Sequence, residues 1–453
     1  METLAYAEFR ADGTETAPLT WAQHVMWRAA ALDTSNRHHL FMNLRRTVPV
    51  STRVRADLAS VTRAIGMLVS RHGSLRTRVR SVDGVTQQET ASVGRLPLLV
   101  TESDGDPVEA AQVLAGRLAD VAFDHAAEWP LRVGLVLAEG RVRQVVLVFS
   151  HSTVDAHAAD VVLRDLRLIL LRGAIATPPG PQSVQVARDQ HGVDRHRSDR
   201  SVAYWVRQFG RLPDESMEPT RSELDPRLHR GVLVSSAIDA ATRLIAARHR
   251  VSVSAVLLAG VTALAAGESG RETCGLFNMA HNRFRTEYAN AVANLGQIGF
   301  CVLDVVDRPS FVDLLSRVWR ASLDGYRHAY YEPAAMRGKF EELGYEYATA
   351  FLPHYYFNDV RLPGGGVTET VAMTQGELRA AMGRSTFSWT RGLDRASWHL
   401  LTHVTDEPGA VGITLSIDTR FRSPESVEPF LRNLEQLLVT AAFRDVPWPW
   451  KPR

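Results

Sequence analysis

Five consecutive apolar residues, VVLVF at 145–149, run straight into the polar string SHSTVDAHAAD at 150–160. An apolar run of that length, bounded by polar residues, reads as a buried strand. Whatever follows such a strand is delivered to its carboxyl end. Here that is His151, with Asp155 four residues on, a suitable place to hold a general base. The spacing alone decides nothing: with 16 His and 50 acidic residues in 453 positions, chance sets an acid four after a His about once or twice. His403 with Glu407 is a second case. A histidine beside a strand is more often a satisfied structural residue than a base.

The length exceeds what one hydrophobic core fills efficiently, so two domains of roughly 200 residues each are expected. Residues 173–200, GAIATPPGPQSVQVARDQHGVDRHRSDR, gather Pro, Gly and alternating charge as an exposed linker does. The resulting division is 1–175, a linker or crossover at 176–200, and 201–453. In the first half, helices are expected at 20–31, 53–71 and 112–122 and strands at 131–137 and 145–149. In the second, a strand is expected at 232–238, helices at 240–248 and 254–266, and an amphipathic closing helix at 424–442. Both halves are mixed α/β.

A formal net charge of +2 with dispersed basic residues leaves no footprint for nucleic acid. No stretch reaches the roughly 18 apolar residues of a membrane helix. The acidic residues Glu2, Glu8 and Asp12 argue against a signal peptide, and Cys274 and Cys301 lack metal-type spacing, so a reduced cytoplasmic protein is expected. Asp189, His191, Asp194, His196 and Asp199 have ligand chemistry but no apolar wall to order them, and read as a solvated loop. Pro363-Gly364-Gly365-Gly366 lacks the Lys-Ser/Thr and helix signature of a phosphate loop and reads as a turn.

Several separated segments, in order, resemble one family. LTWAQHVMW at 19–27 is similar to S-x-A-Q-x-x-L-W, and RHGSLRTR at 71–78 to R-H-E-x-L-R-T-R. Ser150 to Ala156 falls where that family has H-H-x-x-x-D-G, AHNRF at 280–284 resembles its R-N-R, and NLGQIGFCVLD resembles its I-G-F-F-V-N. Tyr356-Phe357-Asn358 sits at its S-F-N, and FDHAAEWPLRVGLV, from Phe123, and LSIDTRFRSPESVEPFLRNLEQLL are also similar to its sequences. The chain thus resembles the condensation domains of nonribosomal peptide synthesis, within the chloramphenicol acetyltransferase-like acyltransferase superfamily. The resemblance implies an α/β (α+β) fold of two acetyltransferase-like lobes in a V-shaped pseudo-dimer with a central tunnel.

It also implies roles. His151 matches the second His of the motif, expected to be the general base or to position the nucleophile. Asp155 is expected to pair with Arg283 and shape the active-site loop. Ser150, Ala156, His157 and Asn358 become tunnel candidates, His157 as a surface bystander at a helix start and Asn358 as either a hydrogen-bond donor near the acceptor or a structural turn residue. Ser150 replaces the first His, where a hydroxyl that bonds locally can substitute. Ala156 replaces the Gly, narrowing the tunnel and excluding some backbone angles; His281 replaces the first Arg of R-N-R. Heterocyclisation relatives lose the His that this chain keeps, and the D-F-G-W-G segment of plant-type relatives is absent.

The expected reaction is acyl transfer from a carrier-protein thioester to an amine or hydroxyl, giving an amide or ester. The alternative is an altered domain that docks partner enzymes. No bound cofactor or metal is expected; the substrate would ride on the phosphopantetheine of an acyl or peptidyl carrier protein. No G-G-x-S attachment site occurs in the chain, so the carrier is expected in trans and the acceptor as a small molecule or carrier-bound. A monomer is expected.

Overall fold

The apolar run at 145–149 lies in the strand Arg141–Ser150 and has both faces covered. Val145, Leu147 and Phe149 pack into a core with Val61, Ile65 and Leu68 of the helix Leu58–Arg71 and with Val162 and Leu166 of the helix Ala156–Arg172. Val146 and Val148 face the opposite way, against Ala111, Leu114 and Ala115 of the helix Pro107–Ala119. Alternation along the strand sends successive side chains to opposite faces, which is why the run shows no polar position. The computed structural model describes residues 2–32, 42–51, 53, 56–212, 219–345, 355–361, 373–394 and 398–450.

The chain forms two compact units. The first comprises Met1–His196 and His281–Gly296, the second Arg197–Ala280 and Gln297–Arg453. In the first unit a five-stranded sheet runs in the order Glu2–Arg10, Val93–Glu102, Leu131–Ala138, Arg141–Ser150, Asn43–Pro49. Only the pair of Val93–Glu102 with Leu131–Ala138 is parallel. A smaller sheet joins Glu15–Pro18, Val85–Thr90 and Thr77–Val82.

The second unit holds a seven-stranded mixed sheet in the order Gln297–Asp304, Thr273–Ala280, Tyr355–Asp359, Leu400–Glu407, Ala410–Asp418, Leu228–Ser235, Thr386–Leu393. The helices Ser236–His249, Val253–Ser269, Phe311–Arg327 and Val427–Ala441 bury its one face. An aromatic cluster of Trp205, Phe209, Phe277, Phe300, Phe340 and Tyr356 covers part of the other. Cys274 and Cys301 are buried free thiols in this sheet, pushed up to about 11 and about 12 by burial.

Element boundaries moved where capping residues outweighed periodicity. The helix expected from residue 53 begins at Leu58, because the Asp57 side chain accepts from Ser60 N at 2.8 Å and so fixes the start. The helix expected at 112–122 is Pro107–Ala119, started by Asp106 as cap with Pro at the first position. The strand expected at 232–238 is Leu228–Ser235, after which Ser235 caps the following helix.

The larger correction concerns residues 176–200, which are not an exposed linker. They contain the helix Ser183–His191 and the start of Arg195–Phe209, and Val184, Val186 and Ala187 are fully buried. The acidic and histidine cluster there is not a solvated loop either: Asp194 is buried and pairs with Arg285, Tyr288 OH donates to Asp189 at 3.3 Å, and His191 Nε2 donates to Leu19 O at 3.1 Å. Among the described residues no group of three potential metal ligands occurs, and no single helix is long and apolar enough to cross a membrane. The Pro-Gly-Gly-Gly run lies outside the described residues.

RHGSLRTR at 71–78 has a structural role. Asp165, 1% exposed, accepts from Arg71 Nε at 2.9 Å, His72 Nε2 at 3.1 Å and Arg164 Nη2 at 2.8 Å. Burial alone would raise the Asp165 carboxyl, but these three donors hold it far below the carboxylate range. Burial pushes the His72 imidazole down, against the pull of Asp165. Both shifts act in the same direction on stability. Below about pH 6.5 the unfolded chain binds a proton on His72 that the fold withholds, and below about pH 4 it binds one on Asp165. Urea unfolding is therefore expected to show a midpoint that falls from pH 7 to pH 5 and again below pH 4, and a flat profile would contradict this.

Candidate active site

The loop after Arg141–Ser150 turns sharply back on itself. Thr153 N and Val154 N both donate to Ser150 O, and Val154 is fully buried beneath the turn. His151 is fixed at its backbone by donation to Met42 O at 2.8 Å and by Asn294 Nδ2 donating to its own carbonyl at 2.6 Å. Its ring is set by one bond: Nδ1 lies 3.0 Å from Val154 O. A carbonyl only accepts, so Nδ1 carries the hydrogen and the neutral ring keeps a lone pair on Nε2. Burial pushes the His151 imidazole below its ordinary value, with the Val154 carbonyl and the Asp155 charge pulling the other way. The ring is therefore neutral at neutral pH, the form that can take a proton.

Asp155 has its oxygens committed elsewhere. It caps the helix Ala156–Arg172 by accepting from Ala158 N at 2.8 Å. Arg283 Nη1 and Nη2 donate to Oδ2 and Oδ1, each at 2.8 Å, and Leu295 N donates to Oδ2 at 3.0 Å. Burial would raise this carboxyl, but the bidentate guanidinium holds it below the usual range. Arg283 is itself buried and spends further donors on His281 O and Ala293 O.

The partner segment is locally ordered for this contact. Asn282 takes a left-handed φ of 49°, which asparagine tolerates better than most residues, and its Nδ2 donates to Leu295 O at 3.0 Å. That closes the hairpin of backbone on which Arg283, Asn294 and Leu295 reach the loop of His151.

Ser150 has a defined place. Its hydroxyl sits between His125 Nε2 at 2.8 Å and Ser152 Oγ at 2.7 Å. The local bonding anticipated for a serine here is thus supplied by a second imidazole, His125, which stands edge-on to Trp27 with ring centroids 5.9 Å apart. Sequence reasoning missed His125. It lies 25 residues from Ser150 in the quoted stretch FDHAAEWPLRVGLV, and nothing in its spacing signals the contact.

Ala156 is the first residue of its helix and is not among the residues with positive φ, so glycine's extra backbone freedom is not required there. The backbone-angle objection to this substitution falls away. His157 is not a bystander: Nε2 donates to Ala289 O at 2.9 Å, and its ring stacks on His281 at 5.9 Å. His281 Nδ1 in turn accepts from Arg283 N at 3.1 Å. The two histidines brace the segment that carries Arg283. Ser150, His151, Asp155, Ala156, His157 and Arg283 are thus brought together within the first unit. Asn358 belongs to the second, on the strand Tyr355–Asp359 beside His403.

The model of the Condensation domain family matches residues 14–344, a span that includes this loop and the Arg283 segment. Among curated relatives, phosphinothricin tripeptide synthetase PhsB of Streptomyces viridochromogenes is 27% identical over 70% of this chain and 27% of its own length. The nonribosomal peptide synthetase CymA of Salinispora arenicola, described as probable and non-canonical, is 26% identical over 94% of this chain and 6% of its own. The chain thus spans about a quarter or less of the curated relatives it matches.

Solved structures agree in fold. The condensation domain of the monacolin K polyketide synthase MokA aligns with a TM-score of 0.75 at 14% identity, covering 96% of this chain and 99% of that one. SgcC5 of Streptomyces globisporus aligns with a TM-score of 0.71 at 18% identity, covering 94% and 98%. The X-domain of teicoplanin biosynthesis, solved in complex with OxyB, aligns with a TM-score of 0.68 at 15% identity, covering 94% and 93%. With the motif-bearing loop, its arginine partner and the match over most of the chain in agreement, this protein belongs to the condensation domain family, whose members form amide or ester bonds in nonribosomal peptide synthesis.

Proposed function

We propose that this chain transfers an acyl group from a carrier-protein thioester to an amine or hydroxyl, with His151 Nε2 taking the nucleophile's proton. The observation that carries this reading is the Nδ1 bond to Val154 O, which leaves a lone pair on Nε2 of a desolvated, neutral imidazole. As the acceptor's N or O attacks the thioester carbonyl, the C–N or C–O bond forms and the C–S bond breaks. The proton passes through His151 to the leaving phosphopantetheine thiolate of the carrier. Holding both substrates in register can remove on the order of 7–11 kcal/mol of barrier, against about 3–5 for base catalysis, so positioning carries the larger share.

The test supplies an acyl-loaded carrier as a separate protein, together with a panel of amines and alcohols. Product that forms with the wild type and is lost with His151→Ala is expected. Product that persists undiminished in the variant removes His151 as the base. A second reading, a partner-recruiting module, is favoured by Ser150 in place of the first motif histidine and by the fold shared with an X-domain solved on its partner OxyB. Tight binding of a partner enzyme with no turnover of any donor would select it.

A further inference from the structure

One face of the second unit's sheet carries three side chains, Arg230, His403 and Asn358, with hydrogen-bonding atoms that no described residue uses. Alternation along Leu400–Glu407 sends Leu400 and Val404 into the helix-covered core and His403 to the opposite face, with Leu401. Asn358 lies beside His403 in parallel register, and Thr414 opposite it on the other neighbouring strand. Two residues along, Ser416 lies opposite Arg230 on Leu228–Ser235. Arg230 spends only Nε, on Ser416 Oγ at 3.2 Å. Among the described residues, no acceptor takes Nη1 or Nη2 and no carboxylate pairs with the guanidinium. The ring of His403 and the carboxamide of Asn358 are likewise without a side-chain bond among the described residues. All three residues are half-buried.

A half-buried guanidinium with donors unspent is costly to keep, and carboxylates and phosphates match its fork. Among the described residues, no carboxylate answers it. Asp359, next along from Asn358, has its oxygens taken by Arg361 at 2.8 and 2.7 Å and by Ser254. Burial, and then the Arg230 charge, push His403 down to about 4. His403 is therefore a neutral donor or acceptor at working pH, and the positive charge at this place is that of Arg230. Cation, imidazole and carboxamide together present several donors, and Asp359, the carboxylate that acts on His403, is already held by Arg361 and Ser254.

We infer that Arg230, His403 and Asn358 bind the carboxylate of a free amino or hydroxy acid on this face of the second unit. The ligand class rests on the acyl-transfer reading, in which the donor's reacting carboxyl is a thioester and a free acid bearing an amine or hydroxyl is suited to be the acceptor. The acceptor class is then an amino or hydroxy acid. The phosphate of the carrier's pantetheine arm shares the chemistry and forms a separate arm of the test.

Calorimetric titration of the full chain with α-amino acids and α-hydroxy acids, with their methyl esters, and with 4′-phosphopantetheine decides it. At least one free acid is expected to bind, with its ester about 10-fold weaker or worse, and with Arg230→Gln weakening the acid by about 10- to 100-fold. His403→Phe should weaken it less, while the thermal midpoint of Arg230→Gln stays at or above that of the wild type. The inference is overturned if no acid binds at millimolar concentration, if acids and esters bind alike, or if Arg230→Gln leaves affinity intact. Arg230-dependent binding of 4′-phosphopantetheine alone also overturns it, by moving the site to the carrier arm. None of these measurements needs turnover. Arg230-dependent acid binding by a protein inert toward every donor keeps this site and removes the acyl-transfer reading; turnover indifferent to Arg230 and to the acceptor's carboxylate does the reverse.

Discussion

Replacing Asp155 with alanine is expected to cost about 3–5 kcal/mol of folding stability, read as a lowered urea midpoint with an unchanged slope. The size follows from what the substitution leaves behind. Arg283 is 9% exposed, and without Asp155 its charge would have only backbone carbonyls to face. The helix Ala156–Arg172 loses its cap and Leu295 N its acceptor at the same time. Asp155→Asn keeps a competent cap while removing the charge, so it should fall between the two. The double substitution Asp155→Leu with Arg283→Met removes both charges and should recover most of the loss, as buried pairs replaced whole often do. Unfolding of Asp155→Ala at the wild-type midpoint would show that the pair is not the strut described here. The depressed carboxyl adds a sign: its contribution is present above the ordinary carboxylate pKa and fades as the pH drops below about 4. Activity lost in an Asp155 variant therefore reports the loop, not a proton transfer.

The second large effect separates from the first by leaving the fold alone. His151→Ala is expected to lower kcat by about 10²–10⁴, the range of a lost general base. Its stability cost should be only about 1 kcal/mol, for one bond to Val154 O. In the wild type, the burial that pushes His151 down predicts a rate that is level around pH 7 and falls only on the acid side of the ordinary imidazole value. A wild-type acid limb at or above pH 6.5, or an Ala variant within a few-fold of wild-type kcat, would assign the proton to another group. Residual product in the variant measures what positioning alone supplies.

How much of this was legible in the chain differs from residue to residue. The buried strand was legible because VVLVF has no polar position, and a strand flanked by helices on both faces requires none. His151 could be placed at its end for the same reason. Which nitrogen of its ring is free could not, since that depends on the carbonyl of Val154 meeting Nδ1 after the turn closes. His125 beside Ser150 is a contact across 25 residues and leaves no local pattern. The helix at Ser183–His191 was hidden by its composition: Pro, Gly and charge dominate 173–200, while its buried face is Ser183, Val184, Val186, Ala187 and Gln190, only three of them apolar. Arg230 and His403 sit on separate strands, and only the sheet order through Ala410–Asp418 makes them neighbours.

The first unit takes His281–Gly296 from the second half of the chain. During synthesis the ribosome delivers Asp155 long before Arg283, so the loop carrying His151 stays unfinished while the next hundred-odd residues emerge. A fragment ending near residue 200 would lack the guanidinium, the Leu295 amide and the Asn294 carboxamide that complete that loop. Proteolysis or a stop codon between Asp155 and Arg283 thus yields a fragment whose His151 loop lacks all three of these partners.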